Sequence, residues 1–265
     1  MKNKKSLGQN WLKDRDTLES IADIAAGCTE EPLDEKLSLC IEIGPGLGTL
    51  TSSLLKRFNR VIAIELDERL AHNLPQSFPG KNLQVINTDF LRYNLDTIEE
   101  PFVVAGNIPY YITTPIIEKL LTNNKKAERI VLLVQKEVAE KISPHEAKLH
   151  NSSLSLFVEN YARPQLGPIV TKDLFTPPPK VDSRVLILTP HDKPITKPEE
   201  GVLEFVRAAF ANPRKKLSAN LANCTNLTKN EIESLLTKEK INHDCRPADL
   251  DLEQYAMLAK VLKTR

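Results

Sequence analysis

The run Leu39-Cys40-Ile41-Glu42-Ile43-Gly44-Pro45-Gly46-Leu47-Gly48-Thr49-Leu50 restricts the possible folds more than any other stretch of the chain. Its mostly apolar start, with two β-branched isoleucines, has the pattern of a buried strand, and Leu50, Leu54 and Leu55 beyond it recur at helical spacing. Three glycines between two such elements allow a sharp reversal and admit a ligand where any Cβ would collide. A strand, a glycine turn and a helix together open an α/β nucleotide-binding fold. Here the spacing is Gly44-x-Gly46-x-Gly48, and Thr49 stands where the dinucleotide fingerprint needs its third glycine. That mismatch disfavours an NAD-dependent oxidoreductase. A glycine turn by itself is as often only a tight turn, so the later strands have to decide.

Val61-Ile62-Ala63-Ile64-Glu65 repeats the buried-strand pattern. It ends in an acid about twenty residues after the first glycine, where such folds place the carboxylate for both ribose hydroxyls. Leu83-Gln84-Val85-Ile86-Asn87 leads to Thr88-Asp89-Phe90, a polar tip and an aromatic suited to an adenine amine and ring face; a surface carboxylate is the alternative for Asp89. Phe102-Val103-Val104-Ala105-Gly106 precedes Asn107-Ile108-Pro109-Tyr110, and residues 130–134 form a fifth strand pattern. Helices are expected after a cap at Asp16 or Thr17, after a cap at Thr114 with Pro115 in first position, and over residues 135–141 and 152–161. Strands alternating with helices predict a parallel, doubly wound sheet whose ligand crevice lies at the carboxyl ends of its strands. The glycine turn, Glu65, Asp89 and Asn107 all mark such ends.

Residues 175–183 read Phe-Thr-Pro-Pro-Pro-Lys-Val-Asp-Ser, a loop stiffened by three prolines, with Phe175 as a lid or stacking side chain or, alternatively, a packed loop aromatic. Pro190, Pro194 and Pro198 mark a linker, beyond which Val202, Phe205, Val206, Ala209 and Phe210 start a series of helical stripes. The predicted division is 1–190 for an N-terminal arm with the sheet domain and 191–265 for a small all-helical domain. A chain of 265 residues with 41% hydrophobic content can bury both cores. No apolar run approaches the roughly 20 residues of a membrane span, so no membrane contact is expected and the cytoplasm is the expected compartment. Cys28, Cys40, Cys224 and Cys245 lack C-x-x-C spacing, and neither a disulfide framework nor a metal site is indicated. With a net charge of only +1, affinity for nucleic acid would have to come from local patches. Lys4 and Lys5 on the N-terminal arm and Arg214, Lys215 and Lys216 in the tail are the candidates; a solvated surface is the simpler alternative for both.

Taken together these motifs resemble one family, the ribosomal RNA adenine N6,N6-dimethyltransferases that modify two adjacent adenosines near the 3′ end of small-subunit rRNA. The resemblance is carried by Gly8-Gln9-Asn10-Trp11-Leu12, residues 42–48, Ile64-Glu65-Leu66-Asp67, Gly106-Asn107-Ile108-Pro109-Tyr110, Gln135-Lys136-Glu137-Val138-Ala139, residues 175–183, and Arg246-Pro247. Trp11 stands where the family usually has Phe. The resemblance implies a Rossmann-like methyltransferase sheet with a small C-terminal helical domain, and S-adenosylmethionine as cofactor. It implies cofactor contacts at Asn10, Leu12, Gly44, Glu65, Asp89 and Asn107, to which the turn geometry adds Gly46. It further implies, as partner, small-subunit rRNA or its precursor particle; a monomer is expected. An adenine amine is a poor nucleophile because its lone pair is delocalised, so a site for it needs acceptors that aim the nitrogen. The Asn107 side-chain carbonyl and a backbone carbonyl at Ile108 or Pro109 can serve, with Tyr110 stacked on the base. An antibiotic-resistance methyltransferase of large-subunit rRNA shares the cofactor turn and the Asn-x-Pro-Tyr tetrad; the proline loop and helical tail favour the small-subunit enzyme. A non-catalytic binding module is disfavoured by intact Glu65, Asp89 and Asn107.

Overall fold

The structure is a computed structural model that describes residues 9–27 and 37–263. Lys4, Lys5, Cys28 and the turn around Glu30 to Glu35 lie outside the described residues. The chain runs β1 (Trp11–Leu12), α1 (Arg15–Ala26), β2 (Leu37–Ile43), α2 (Thr49–Arg57), β3 (Phe58–Glu65), α3 (Glu68–Asn73), β4 (Leu83–Asn87), β5 (Val103–Asn107), α4 (Thr113–Thr122), β6 (Arg129–Gln135) and α5 (Lys136–Ile142). It continues with α6 (Pro144–Ala147), α7 (Ser153–Tyr161), β7 (Ala162–Val170), β8 (Phe175–Thr176), β9 (Ser183–Pro190), α8 (Val202–Ala209), α9 (Leu217–Leu221), α10 (Lys229–Lys238) and α11 (Leu252–Lys263).

Seven strands form one sheet in the order β4-β3-β2-β5-β6-β9-β7. The chain winds outward from β2 through β3 to β4, then returns to the other side of β2 and winds outward again through β5 to β6. The direction of winding therefore reverses between β2 and β5, where the carboxyl ends of an open α/β sheet leave a crevice. Ile43 at the end of β2 lies in register with Ile64 of β3 and Gly106 of β5. A Cβ on Gly106 would come within 2.8 Å of the Ile43 carbonyl oxygen, so only glycine lets these two strand ends approach so closely. One face of the sheet buries Cys40, Val61, Val103, Ala105 and Val131 against Leu18, Ile21, Ala22 and Ala25 of α1 and Leu50, Leu54 and Leu55 of α2. Among the described residues no helix is long and apolar enough to cross a membrane.

The structure corrects the sequence reading in several places. The sheet is mixed, because β9 runs antiparallel to β6, with Gln135 opposite Ser183. The edge strand β7 went unpredicted: Pro164, Gly167 and Pro168 fall within it, and prolines that weaken a strand pattern are tolerated where one side needs no ladder partner. Asp14 rather than Asp16 or Thr17 caps α1, its Oδ2 accepting from the Thr17 N–H at 2.9 Å and the Thr17 hydroxyl at 2.6 Å. Thr114 is inside α4 rather than its cap, and Pro115 is the third residue, where a missing N–H still costs no helical bond.

By contact density the chain divides into two compact units, Met1–Ala139 with Arg163–Pro190, and Glu140–Ala162 with His191–Arg265. Residues 140–162, placed in the sheet domain by the sequence reading, thus group with the helices. Their reason is apolar: Leu156 of α7 is fully buried in one cluster with Val206, Leu221, Leu236 and Leu258. At the centre of that cluster Tyr255 is buried between Phe205 and Phe210, with its hydroxyl donating to the Pro247 carbonyl at 2.8 Å.

Candidate active site

The ends of β2, β3 and β5, with the segment after β4, line a cleft whose empty space, counting what is open to solvent at its mouth, is about 1050 Å³. Asn10, Leu12, Gly44, Gly46, Glu65, Asp89, Asn107, Pro109 and Tyr110 all line it. Lys4 and Lys5 lie outside the described residues. Arg214, Lys215 and Lys216 are exposed in the helical unit, and Lys216 is ion-paired with Asp244, so its charge is partly offset.

The turn after β2 needs its glycines for different reasons. Gly44 and Gly48 have φ of 65° and 81°, in the left-handed region that disfavours a side chain. A Cβ on Gly44 would meet nothing within 4 Å, so bare backbone faces the cleft there. On Gly48 it would lie 2.6 Å from Leu74 Cδ1 and 2.8 Å from the Phe78 ring. Gly48 therefore packs the turn, while Gly44 leaves room for a ligand. Gly48 also caps α2, whose first residue is Thr49, as the sequence pattern implies.

Two carboxyl groups line the cleft from neighbouring strands, and burial pushes the pKa of both up. Glu65 accepts from the Gly46 N–H at 3.0 Å with one oxygen and from the Asp67 N–H at 2.8 Å with the other. Burial pushes its pKa up and the two amides oppose the shift. Glu42, 1% exposed, accepts from the Thr51 hydroxyl at 2.6 Å and more weakly from the Thr51 backbone N–H. Burial, seconded by the nearby Glu65 charge, pushes its pKa up to about 8 against the opposing Thr51 bonds, so Glu42 holds a proton at neutral pH. Thr51 was not read from sequence; its trace is the polar run Thr51 to Ser53 between the apolar Leu50 and Leu54 of the same helix. Asp89 caps the short turn that follows β4, its Oδ1 accepting from the Leu91 N–H at 2.9 Å. Phe90 lines the cleft but is buried, with the Lys119 ammonium 5.7 Å from its ring centre.

At the β5 end, the Asn107 Nδ2 donates to the backbone carbonyl of Asn10 at 3.0 Å. Because a carbonyl can only accept, this bond fixes which way the amide faces and turns its Oδ1 away as an acceptor. The Pro109 carbonyl is shared with the Ile112 N–H at 3.2 Å, which shifts the second acceptor towards Ile108. Tyr110, half-buried, shares a 2.8 Å hydrogen bond between its hydroxyl and Ser183 Oγ. Ser183 is fully buried at the start of β9 and closes the proline-rich run. It was not singled out from sequence, although it belongs to the run on which the resemblance rests.

Phe175 is corrected. It is 3% exposed, paired with Leu12 in a two-stranded ladder, and packed in the same apolar cluster as Leu18 and Ile21, so it offers no face to the cleft. The run contributes to the site through Ser183, and through Phe175 only by holding the segment that carries Asn10 and Trp11. Trp11 itself packs against the glycine turn, a Cβ on Gly46 falling 3.2 Å from its Nε1. That Nε1 is buried without a hydrogen-bond partner among the described residues, an unmet donor on the cleft wall.

The chain is similar to several known proteins over nearly its whole length. The Ribosomal RNA small subunit methyltransferase A of Bacillus cytotoxicus is 37% identical over 272 residues, covering 98% of this chain and 91% of its own. The protein of the same name from Listeria welshimeri is also 37% identical, over 273 residues, 98% of this chain and 90% of its own. Among solved structures, the 23S rRNA methyltransferase ErmE superposes with a TM-score of 0.74 at 28% identity, over 96% of this chain and 99% of its own. A dimethyladenosine transferase from Plasmodium falciparum gives 0.72 at 25% identity, over 95% and 96%. A family model for ribosomal RNA adenine dimethylase matches residues 1–264, and the chain belongs to that family.

Proposed function

We propose that this enzyme transfers methyl groups from S-adenosylmethionine to the N6 amines of two adjacent adenosines near the 3′ end of small-subunit rRNA, giving N6,N6-dimethyladenosine during ribosome biogenesis. The observation that carries the reaction type is the bond from Asn107 Nδ2 to the Asn10 carbonyl, which leaves Oδ1 of this cleft-lining residue as the acceptor offered to the amine in this reading. The cofactor fits the residues present. Bare backbone at Gly44 leaves space beside the turn, Glu65 is already fixed by two amides, and the Trp11 Nε1–H lacks an acceptor. Glu65 would take the ribose hydroxyls, Asp89 the adenine amine, and Asn10 and Leu12 would border the amino-acid end. When bound, the cofactor supplies a methyl group on a cationic sulfonium, an electrophile strong enough that no strong general base is needed.

The protein's own task is then to aim the nucleophile. Asn107 Oδ1 and the Ile108 carbonyl accept hydrogen bonds from the two amine hydrogens, drawing the nitrogen towards a pyramidal geometry that localises its lone pair, while Tyr110 stacks on the base from a position set by Ser183. Transfer leaves the nitrogen cationic and its N–H acidic, so one proton is lost to solvent; one N–H then remains, and one acceptor still orients the nitrogen. Arg214 and Lys215, with Lys216, would contribute phosphate contacts in the second unit.

The test is methyl transfer from labelled cofactor to unmodified small subunits, mature subunits, naked small-subunit rRNA and large-subunit rRNA, with positions mapped. Label on two adjacent adenosines of the small subunit supports the assignment. Label on large-subunit rRNA would instead assign the activity named for ErmE, whose likeness in fold does not by itself choose the substrate.

A further inference from the structure

Two large apolar side chains stand exposed on the rim of the cleft, and each directly follows an anchor: Leu66 after Glu65, at 53% exposed, and Tyr111 after Tyr110, at 61%. Leu66 thus belongs to the ribose side. Tyr111 belongs to the base side, and nothing in the reaction described so far uses it. It lies in the one-turn 3₁₀ segment Tyr110–Ile112. Successive side chains on such a turn point about 120° apart, so while Tyr110 is drawn inward to Ser183, Tyr111 is carried out to the mouth.

We infer that Tyr111 is the stacking platform for the nucleotide next to the adenosine being methylated. The inference rests on the function proposed above. An adenosine drawn into the cleft leaves its neighbour's face unstacked, at a cost of a few kcal/mol. The neighbour is tethered by a single phosphodiester and must stay at the mouth, where an exposed aromatic face replaces the lost stack. Base–aromatic stacking is worth about 1–3 kcal/mol per base and is open to every base, with modest preferences set by stacking strength. With two adjacent targets, each adenosine serves in turn as substrate and as neighbour, so one platform suits both rounds.

The experiment compares the wild-type chain with Tyr111→Ala and Tyr111→Phe, on small subunits reconstituted with either adenosine or uridine beside the target. For the adenosine neighbour, Tyr111→Ala should raise KM about 5- to 150-fold, with kcat and cofactor Kd within about twofold of wild type, while Tyr111→Phe, which keeps the ring, should match wild type. Replacing the neighbour by uridine, whose smaller ring stacks more weakly, should raise the wild-type KM less than Tyr111→Ala does and leave the Ala variant nearly unchanged. An unaltered KM in Tyr111→Ala, equal damage from Phe and Ala, or a fall confined to kcat would overturn the inference. No transfer by the wild-type chain to either subunit would overturn the underlying function as well; transfer indifferent to both Tyr111 and the neighbour would overturn the platform alone.

Discussion

The two ends of the cleft are built by different means. At the β2–β3 end the parts are local: the glycine turn follows its strand directly, and Glu65 is fastened by amides of Gly46 and Asp67, the second only two residues away. At the β5 end they come from far apart in the chain. Asn107 is oriented by Asn10, 97 residues distant, and Tyr110 by Ser183, 73 residues distant. Backbone amides have little freedom once strand and turn have formed, so the first end is set by secondary structure itself. The second end exists only when the N-terminal segment and β9 have docked. In the proposed reaction the methyl donor would take the fixed seat and the base would be aimed after it arrives, a division of labour that matches the contrast in construction.

Asn107→Ala breaks the contrast most sharply. If its carbonyl aims the amine, turnover at saturating cofactor should fall about 10²–10³-fold, while affinity for the small subunit, which comes mainly from phosphate and shape contacts, is largely kept. The second methylation should suffer at least as much as the first, because a monomethylated amine offers one hydrogen; chromatography of mono- and dimethyladenosine reads both steps. Near-normal rates for both would remove Asn107 from its role.

Glu42→Gln sharpens the account of the β2–β3 end. Glu42 titrates near 8 when folded, against a reference of 4.5, so the folded state binds the extra proton and stability should decline as pH rises from about 5 towards 8. Over that window the decline approaches about 1.4 kcal/mol per pH unit for one group. Glu42→Gln should flatten the slope of the melting temperature against pH; parallel slopes for the two proteins would show that Glu42 is already ionised at pH 7.

A smaller effect is expected from Ser183→Ala, which removes one hydrogen bond worth about 0.5–1.5 kcal/mol. Turnover should drop several-fold with cofactor affinity unchanged, and a drop in cofactor affinity alone would place Ser183 at the wrong end of the cleft. Smallest in free energy is neutralisation of Arg214, Lys215 and Lys216. Because Lys216 is already paired with Asp244, the salt dependence of subunit binding should flatten by about one to two slope units rather than three. An unmoved slope would make the patch a solvated surface.

What could be read from the sequence follows the same local-versus-distant line. The glycine turn, Glu65, Asp89 and Asn107 were legible because each ends a strand whose apolar pattern is contained in a few neighbouring residues. Phe175 was misread because its exposure depends on pairing with Leu12, and Ser183 was passed over because its partner Tyr110 lies in another segment. The edge strand β7 hid behind its prolines, and residues 140–162 behind the fact that Leu156 packs with helices encoded later. The pKa shifts were equally hidden: Glu42 and Glu65 look alike in a strand pattern, and burial, which pushes both up, is set by the packing around them.

The central claim is that the cleft is a preformed seat for S-adenosylmethionine with Glu65 as its fixed anchor. Calorimetry of cofactor binding to the wild-type chain and to Glu65→Ala tests it most directly. One-to-one binding by the wild type, weakened about 10- to 150-fold in the variant as a charged acceptor worth about 1.5–3 kcal/mol is lost, is the result expected. Equal affinities in two equally folded proteins would contradict it.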